Sequence, residues 1–238
     1  MDLKETAILG AQIDRHWYYR SKATAVCQYI NRLCLNGILD VGAGSGFFTK
    51  HLLTHSSAQR GLCVDTGYTH DADETYGGKA LQYRRSCDSV DANLVLLMDV
   101  LEHVKDDRDL LAQYVEKVPS GAHFMITVPA FQWLWSNHDI FLEHHRRYDI
   151  ARLESVVSKA GLEIHRSSYY FASVFPIAAA LRVVKSLPFT GKHPPRSELR
   201  PHSWLVNEGL SLACRAELAV LRSNKLVGLS VFCLAKKP

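Results

Sequence analysis

A glycine-rich loop is the first part of the sequence whose residues could do chemistry. Residues 40–46 (DVGAGSG) follow a short apolar run and precede a segment, 47–55, that predicts a helix. Glycines let the backbone approach a ligand closely, and the N-terminus of a helix favours electron-rich groups. The run is G-x-G-x-G, and Phe47 stands where the third glycine of a dinucleotide fingerprint would fall. The loop therefore predicts a nucleoside-like ligand without the usual dinucleotide pattern.

An acidic residue follows at a spacing that suits a ribose. Asp65 lies 21 residues after Gly44, at the end of a second apolar run, 61–65. A carboxylate in this position can accept hydrogen bonds from both ribose hydroxyls. Nicotinamide cofactors and other nucleoside cofactors both use such an acid, so Asp65 indicates a nucleoside without choosing between them. The alternative is a solvent-exposed acid in a turn.

A third polar segment, residues 98–104 (MDVLEHV), ends a continuous apolar run over 92–98. Such a run is typical of a strand buried on both faces of a parallel sheet. In this order, the three segments resemble class I S-adenosylmethionine-dependent methyltransferases. Residues 40–46 resemble their motif I, and D-V-L-E-H-V resembles the segment after their fourth strand. The resemblance covers roughly residues 36–165 and implies S-adenosyl-L-methionine as cofactor and S-adenosyl-L-homocysteine as product.

The resemblance also implies which residues contact the cofactor. The loop glycines would approach its methionine part, Asp65 would hold the ribose, and Asp99 with Val100 would line the sulfonium end. Many family members carry a G-D-A-like segment against the adenine, whereas this chain has RSCDS at 85–89, where Asp88 would take that role. The predicted cofactor-binding residues are Trp17, Asp40, Gly42, Ala43, Gly44, Gly46, Asp65, Thr66, Asp88, Asp99, Val100 and His103.

Two more segments resemble a bacterial subgroup of these enzymes, some of which are linked to polysaccharide or natural-product pathways. Residues 16–20 (HWYYR) resemble an H-W-W-[FY] stretch before motif I, which predicts a flap over the cofactor and acceptor. The alternative is that these aromatic residues only pack the first helix against the sheet. Residues 128–148 resemble V-P-A…W-S-x-H-D…H-x-R-R-Y, although Glu143 stands where Gly is more usual.

The second of these segments holds the predicted catalytic residues. His144 is the first candidate for a general base, followed by Asp139 and His138. Arg147 could hold an acidic acceptor, or it could pair with Asp139 as scaffolding. Tyr148 belongs to the same candidate set. The alternative for each residue is that it caps the next helix and fixes the loop.

The histidines of this segment also raise the question of a metal ion. His138, Asp139, His144 and His145 would form the ligand set, but their spacing matches no defined site. The sequence therefore predicts no metal.

Strands that alternate with helices predict the fold that positions these segments. The expected class is α/β: a doubly wound, mostly parallel, seven-stranded Rossmann-like sheet in a single domain, 1–238. An N-terminal helical flap covers 1–35 and the cofactor-binding core covers 36–168. A helical lid or insertion covers 169–226, and the last strand lies in 227–238. Within the insertion, the Pro- and His-rich residues 186–203 predict a loop.

Composition limits the possible partners. The net charge of +4 is too small to indicate nucleic acid. No apolar export signal opens the chain and no C-x-x-C pair occurs among the six cysteines, so a cytoplasmic enzyme with reduced thiols is expected. The apolar stretch 171–187 and the basic residues 192–202 permit weak contact with a membrane surface or a lipid-linked substrate. The oligomeric state stays open.

The predicted reaction is O- or N-methylation by in-line methyl transfer to a small molecule or a glycan or natural-product intermediate. Two functions of other classes remain open. One is a nicotinamide-dependent oxidoreductase on the same sheet, against which Phe47 argues. The other is a non-catalytic module that keeps the cofactor site.

Overall fold

The computed structural model describes residues 8–186, 197 and 202–238. Within them the chain forms an eight-stranded sheet in the order β3-β4-β2-β1-β5-β6-β8-β7. The strands are β1 Gly37–Val41, β2 Arg60–Val64, β3 Ala72–Tyr76, β4 Lys79–Arg84, β5 Leu94–Met98, β6 His123–Pro129, β7 Glu163–Tyr170 and β8 Ser230–Lys236. Strands β4, β2, β1, β5 and β6 run parallel, whereas β8 runs antiparallel to both β6 and β7.

Helices follow most strands, as the alternating pattern predicts. They are α1 Trp17–Ile30, α2 Phe47–His55, α3 Asp107–Glu116, α4 Asn137–Phe141, α5 Ile150–Lys159, α6 Phe175–Ser186 and α7 Trp204–Glu217. Among the described residues, three short 3-10 helices span Gly10–Arg15, Leu101–His103 and Gln132–Leu134. Side-chain caps mark where four of the described helices begin. At α3, for example, Asp106 accepts from the backbone N–H of Asp109, and at α5 Asp149 accepts from that of Arg152.

The strand count corrects the seven-stranded expectation. No strand was expected within 72–84, but β3 and β4 form an antiparallel hairpin there, with β4 parallel to β2. Gly77 and Gly78 both adopt positive φ, at 58° and 78°, in a two-residue turn. Such a turn suits a twisted hairpin, and glycine adopts it without a steric penalty. The hairpin adds the eighth strand as an antiparallel edge to the otherwise expected fold.

Central strands β1 and β5 are buried along their whole length. Two apolar layers cover the faces of the sheet, one containing residues of α1 and α2 and the other containing residues of α3 and α5. Parallel strands covered on both faces read as continuous apolar runs, which is why the sequence located them. Their carboxyl ends therefore open on one edge, where loops can build a site.

The predicted insertion contains α6 and α7. Helix α7 is joined to α1: Asn207 accepts from the backbone N–H of Trp17 at 2.7 Å, and Arg20 pairs with Glu208 at 2.6 Å. Most of the loop expected over 186–203, and the basic residues 192–201, lie outside the described residues. Among the residues that are described, no helix has both the length and the apolar character needed to cross a membrane.

Candidate active site

The glycine loop joins β1 to α2 in a conformation that needs its glycines. Gly42, Gly44 and Gly46 have φ values of 64°, 55° and 71°, in the left-handed region that other residues adopt only with strain. A Cβ at Gly42 would lie 2.9 Å from Cγ2 of Val100, so the loop also passes too close to its neighbour for a side chain. Ala43 is buried beside them. The loop thus presents bare backbone at the carboxyl end of β1.

Asp65 ties this loop to the end of β2. Its Oδ2 accepts from the backbone N–H of Gly44, and its Oδ1 accepts from that of Gly67, both at 2.9 Å. The carboxylate is only partly buried, and a carboxylate offers about four acceptor positions. Acceptor capacity therefore remains for further hydroxyl donors. Thr66, beside it, and Asp88, in the loop after β4, are exposed at the same edge of the sheet.

Asp40 is buried beneath the loop. Its Oδ2 accepts a 2.7 Å hydrogen bond from the Thr49 hydroxyl of α2, and its Oδ1 has no hydrogen-bond partner among the described residues. Burial raises the pKa of Asp40 to about 6. Its side chain contacts α2, so it supports the loop from below.

The raised pKa of Asp40 predicts a pH-dependent stability. The folded protein holds the Asp40 proton more tightly than the unfolded chain does. Protonated Asp40 therefore contributes fully to the free energy of unfolding below about pH 4, and this contribution is lost as the pH rises through about 6. Asp40→Asn should therefore gain stability relative to the wild type by about 2–3 kcal/mol between pH 4 and pH 8. Urea unfolding at both pH values measures this. Asp109→Asn, an exposed acid, is the control, and equal pH dependence in all three proteins would contradict the prediction.

Asp99, just after β5, is held by α1. Its Oδ2 accepts from the Lys22 ammonium and from the Tyr18 hydroxyl, and its Oδ1 accepts from the Thr127 hydroxyl at 3.2 Å. Lys22 is fully buried. Burial opposes the ionisation of Asp99, but the charge and hydrogen bond of Lys22 outweigh it and lower its pKa. Asp99 was predicted from sequence as a site residue, whereas Lys22 was not, because the two residues lie 77 positions apart in the chain.

Breaking this pair tests how firmly α1 is attached. Lys22→Met keeps the side-chain length but leaves Asp99 without its counter-charge, and we expect a loss of about 2–3 kcal/mol in the free energy of unfolding. Lys50→Met is the matched control, since Lys50 pairs with Glu74 at 3.3 Å on the surface and should cost less than about 1 kcal/mol. Adding Asp99→Asn to the first variant should restore most of the loss. Equal effects in the two lysine variants would refute the prediction.

Aromatic residues of α1 pack beside this pair. The Trp17 ring meets the Tyr18 and Phe171 rings edge-on, with centroids 5.9 and 5.8 Å away. Its Nε1 is buried and has no hydrogen-bond partner among the described residues. Trp17 therefore packs against neighbouring aromatic rings, and its indole N–H is also a donor that a ligand could use.

An ion pair organises the loop after β6. The Arg147 guanidinium donates to both carboxylate oxygens of Asp139, at 2.7 and 2.9 Å, and both side chains are almost fully buried. Ser136 and Asp139 form a capping box at the start of α4. Burial alone would raise the pKa of Asp139, but the hydrogen bonds of His144 and Arg147 and the guanidinium charge bring it well below its usual range. Two roles were considered for Arg147, and the structure shows one of them, the pairing with Asp139.

His144 is oriented by this pair. Its Nδ1 lies 2.9 Å from Oδ1 of Asp139, which leaves Nε2 as the nitrogen for other contacts. The His103 ring lies edge-on to it, with centroids 4.6 Å apart, and the His138 ring is farther away, at 6.5 Å. Tyr148 is buried, its hydroxyl donates to the Asp107 carboxylate at 2.7 Å, and the Leu101 carbonyl lies 3.2 Å from the same oxygen. Tyr148 thus supports the loops.

Glu102 is a member of this group that sequence reasoning passed over. It is fully buried, and neither carboxylate oxygen has a hydrogen-bond partner among the described residues. Burial, reinforced by the charge of Asp99, raises its pKa well above the ordinary value. A ligand atom of Glu102, one of His103 and one of His144 all lie within 4.8 Å of one another. Glu102 could be recognised in the sequence as the acid of D-V-L-E-H-V, but its burial could not be predicted from the sequence.

Strained backbone marks the same edge of the sheet. Asp99, Phe131 and Glu143 have φ values of 56°, 56° and 60°, although none is glycine. Such conformations cost roughly 1–2 kcal/mol each and are concentrated at functional sites. At Glu143 this agrees with the glycine more usual in the resembled subgroup.

The sequence and the fold have known counterparts. A family model described as "methyltransferase domain" matches residues 16–167. No curated protein matches the sequence significantly. The fold is similar to a chain in the complex of the Haloferax volcanii Trm112 methyltransferase activator with a candidate methyltransferase. That comparison has a TM-score of 0.56 and 15% identity, over 96% of this chain and 92% of the other.

A second structure of similar fold is phosphoethanolamine N-methyltransferase 2 of Haemonchus contortus in complex with S-adenosyl-L-methionine. It matches with a TM-score of 0.54 and 15% identity, over 91% of this chain and 52% of the other. The family match covers more than half of the chain. The chain belongs to the methyltransferase domain family, which implies S-adenosyl-L-methionine as its cofactor.

Proposed function

We propose that the protein transfers the methyl group of S-adenosyl-L-methionine to an oxygen or nitrogen of a small molecule, such as a glycan or natural-product intermediate. The observation that carries this proposal is the orientation of His144 by the buried Asp139–Arg147 pair. These residues lie in the loop after β6, at the same edge of the sheet as Asp99, which follows β5. A histidine oriented in this way can act as a general base that removes a proton from the acceptor.

The glycine loop and its neighbours suit the cofactor. Bare backbone at Gly42, Gly44 and Gly46 lets a ligand approach, and the remaining acceptor capacity of Asp65 suits the two ribose hydroxyls. Thr66 and Asp88 would contact the nucleoside from the ends of β2 and β4. Val100 and Asp99 would line the sulfonium end, where the carboxylate favours positive charge. Bound S-adenosyl-L-methionine supplies a methyl group already activated on positively charged sulfur.

The protein's own contribution is mainly orientation and proton removal. Aligning acceptor and methyl group can contribute up to about 7–11 kcal/mol in ideal cases. Nε2 of His144 would take the acceptor proton, while Asp139 stabilises the resulting imidazolium at Nδ1. Asp139 is itself a poor base, because Arg147 holds it ionised and occupies both of its oxygens.

Two segments would enclose the acceptor. Residues of the N-terminal segment 1–35 reach Asp99 through Tyr18 and Lys22, which supports a flap over the cofactor. In the segment 169–226, Phe175 lies 5.8 Å from the Trp133 ring of the loop after β6, which supports a lid on the acceptor side. Closing these segments would exclude water from the reacting groups.

Calorimetric titration with S-adenosyl-L-homocysteine, with NADH in parallel, tests the cofactor half. We expect binding of the former alone.

S-adenosyl-L-homocysteine release is then followed by mass spectrometry with panels of sugars, hydroxy acids and amines as acceptors. With an acceptor in hand, His144→Gln should retain cofactor binding and lose about 100-fold or more in turnover. Cofactor binding with unchanged turnover in the variant would remove His144 from catalysis, and no turnover with any acceptor class would favour the non-catalytic module.

A further inference from the structure

We propose that Glu102, His103 and His144 form a site for a divalent transition-metal ion on the acceptor side of the active site. Two imidazoles and one carboxylate converge from two loops, with their ligand atoms within 4.8 Å of one another. This is a ligand set that binds zinc and neighbouring first-row ions, and it leaves coordination positions open. Small side-chain movements, of less than about one ångström each, would bring the ligands to the usual metal distances of about 2.0–2.2 Å.

The burial of Glu102 is the independent observation that calls for a cation. Both of its oxygens are shielded from solvent, and neither has a hydrogen-bond partner among the described residues. A buried polar group without a partner costs free energy, and even a protonated acid would leave its donor and acceptor unsatisfied. A metal ion beside His103 and His144 would satisfy the carboxylate directly.

The second layer of contacts also suits a metal ligand. Metal-binding histidines usually bind a carboxylate through the other ring nitrogen, which orients the ring and raises its basicity. His144 has this arrangement, because its Nδ1 faces Asp139 and its Nε2 remains for the ion. The Arg147 guanidinium keeps Asp139 ionised by donating to both of its carboxylate oxygens.

A backbone contact holds the two ligand loops together. The N–H of His145 donates to the Glu102 carbonyl at 2.7 Å, so residue 144 is fixed beside the 3-10 helix that carries Glu102 and His103. The proposed site differs from the set considered from sequence spacing, which contained His138, Asp139, His144 and His145. Here His145 is exposed and Asp139 is engaged by Arg147, so neither is a ligand.

The role of the ion rests on the proposed methyl transfer. In the metal-bound protein Nε2 of His144 is a ligand, so the ion replaces it in promoting loss of the acceptor proton. An acceptor hydroxyl bound to the ion would lose its proton more readily, and the ion would place that oxygen beside Asp99 and the methyl group. The oxygen would then bond to the methyl carbon as the carbon–sulfur bond breaks and its electron pair returns to sulfur. The hydroxyl proton leaves to solvent. The acceptor class would accordingly be an oxygen nucleophile able to ligate a metal.

Metal titration of the full, untagged chain tests the site. After chelator treatment, the wild type should bind one equivalent of Zn²⁺ by calorimetry, and Co²⁺ should give the visible absorption of a low-coordinate site. Glu102→Gln, His103→Gln and His144→Gln should each weaken binding by about 10-fold or more, and Asp139→Asn by about 10–100-fold. His145→Gln removes a neighbouring exposed imidazole and should leave the affinity unchanged.

Titration of the same samples with S-adenosyl-L-homocysteine separates the two proposals. Metal-site variants that still bind S-adenosyl-L-homocysteine are folded, so any loss of metal affinity in them results from the missing metal ligand. Stoichiometric metal binding without S-adenosyl-L-homocysteine binding would uphold the metal site and count against the proposed function. Absence of stoichiometric metal binding in the wild type, or wild-type affinity in all three ligand variants, would overturn the metal site.

Discussion

Replacing Asp65 by alanine is expected to weaken S-adenosyl-L-homocysteine binding by about 100-fold or more. The carboxylate accepts from the N–H groups of Gly44 and Gly67, and in the proposed complex it also accepts from the ribose. Hydrogen bonds to a charged group are each worth about 1.5–3 kcal/mol, and about 1.4 kcal/mol corresponds to a factor of ten in affinity. Losing two such bonds, and the anchoring of the glycine loop with them, accounts for the expected factor.

Calorimetry on the purified variant measures this loss. Asp109→Ala is the control, since it removes an equally charged but exposed acid of α3 far from the glycine loop in sequence, and its affinity should match the wild type. The melting temperature of each variant with and without ligand separates a lost contact from a lost fold. Wild-type affinity in a folded Asp65→Ala protein would rule out ribose binding by this residue.

Replacing Arg147 by methionine should destabilise the protein by about 3–5 kcal/mol. Arg147 and Asp139 are 3% and 0% exposed at the side chain, so the change leaves a carboxylate buried without its counter-charge. Removing one partner of a buried pair costs far more than the pair itself contributes, because the remaining charge is cut off from water. Chemical denaturation at neutral pH measures the free energy of unfolding.

The pH dependence and a double variant identify the cause. The lowered pKa of Asp139 contributes stability that is present above about pH 4 and lost as the pH falls through the lowered value, so the gap between wild type and variant should narrow in acid. Adding Asp139→Asn should recover part of the loss, because an amide carries no charge. A gap that is constant with pH and unchanged in the double variant would assign the effect to lost packing.

The candidate cofactor site could be predicted from sequence because its signals are local. Fully buried parallel strands read as apolar runs, and the left-handed turn between β1 and α2 needs glycine wherever φ is positive. Asp65 could be located because a strand and a helix of ordinary length separate it from Gly44. The hairpin over 72–84 was missed although Gly77-Gly78 is a recognisable turn, because the strands beside it are largely exposed and lack an apolar pattern.

The proposed acceptor site depends on contacts between distant segments. Sequence reasoning named Asp139, His144 and Arg147 but left each between base, clamp and scaffold. The bidentate pairing of Arg147 with Asp139 is a contact that arises only when the loop after β6 folds back on itself. Lys22 and Glu102 were missed for a related reason, since the burial that makes a charge informative is a property of the packed protein.

The sequence by itself thus determined the α/β class, the family and the glycine loop with its acid, because periodic apolar runs and turn residues carry that information along the chain. Only the tertiary structure decided which polar groups face one another. It brought Lys22 to Asp99 and grouped Glu102 with His103 and His144. Electrostatic effects depend on distance and on exclusion of water, and neither is expressed in the order of residues.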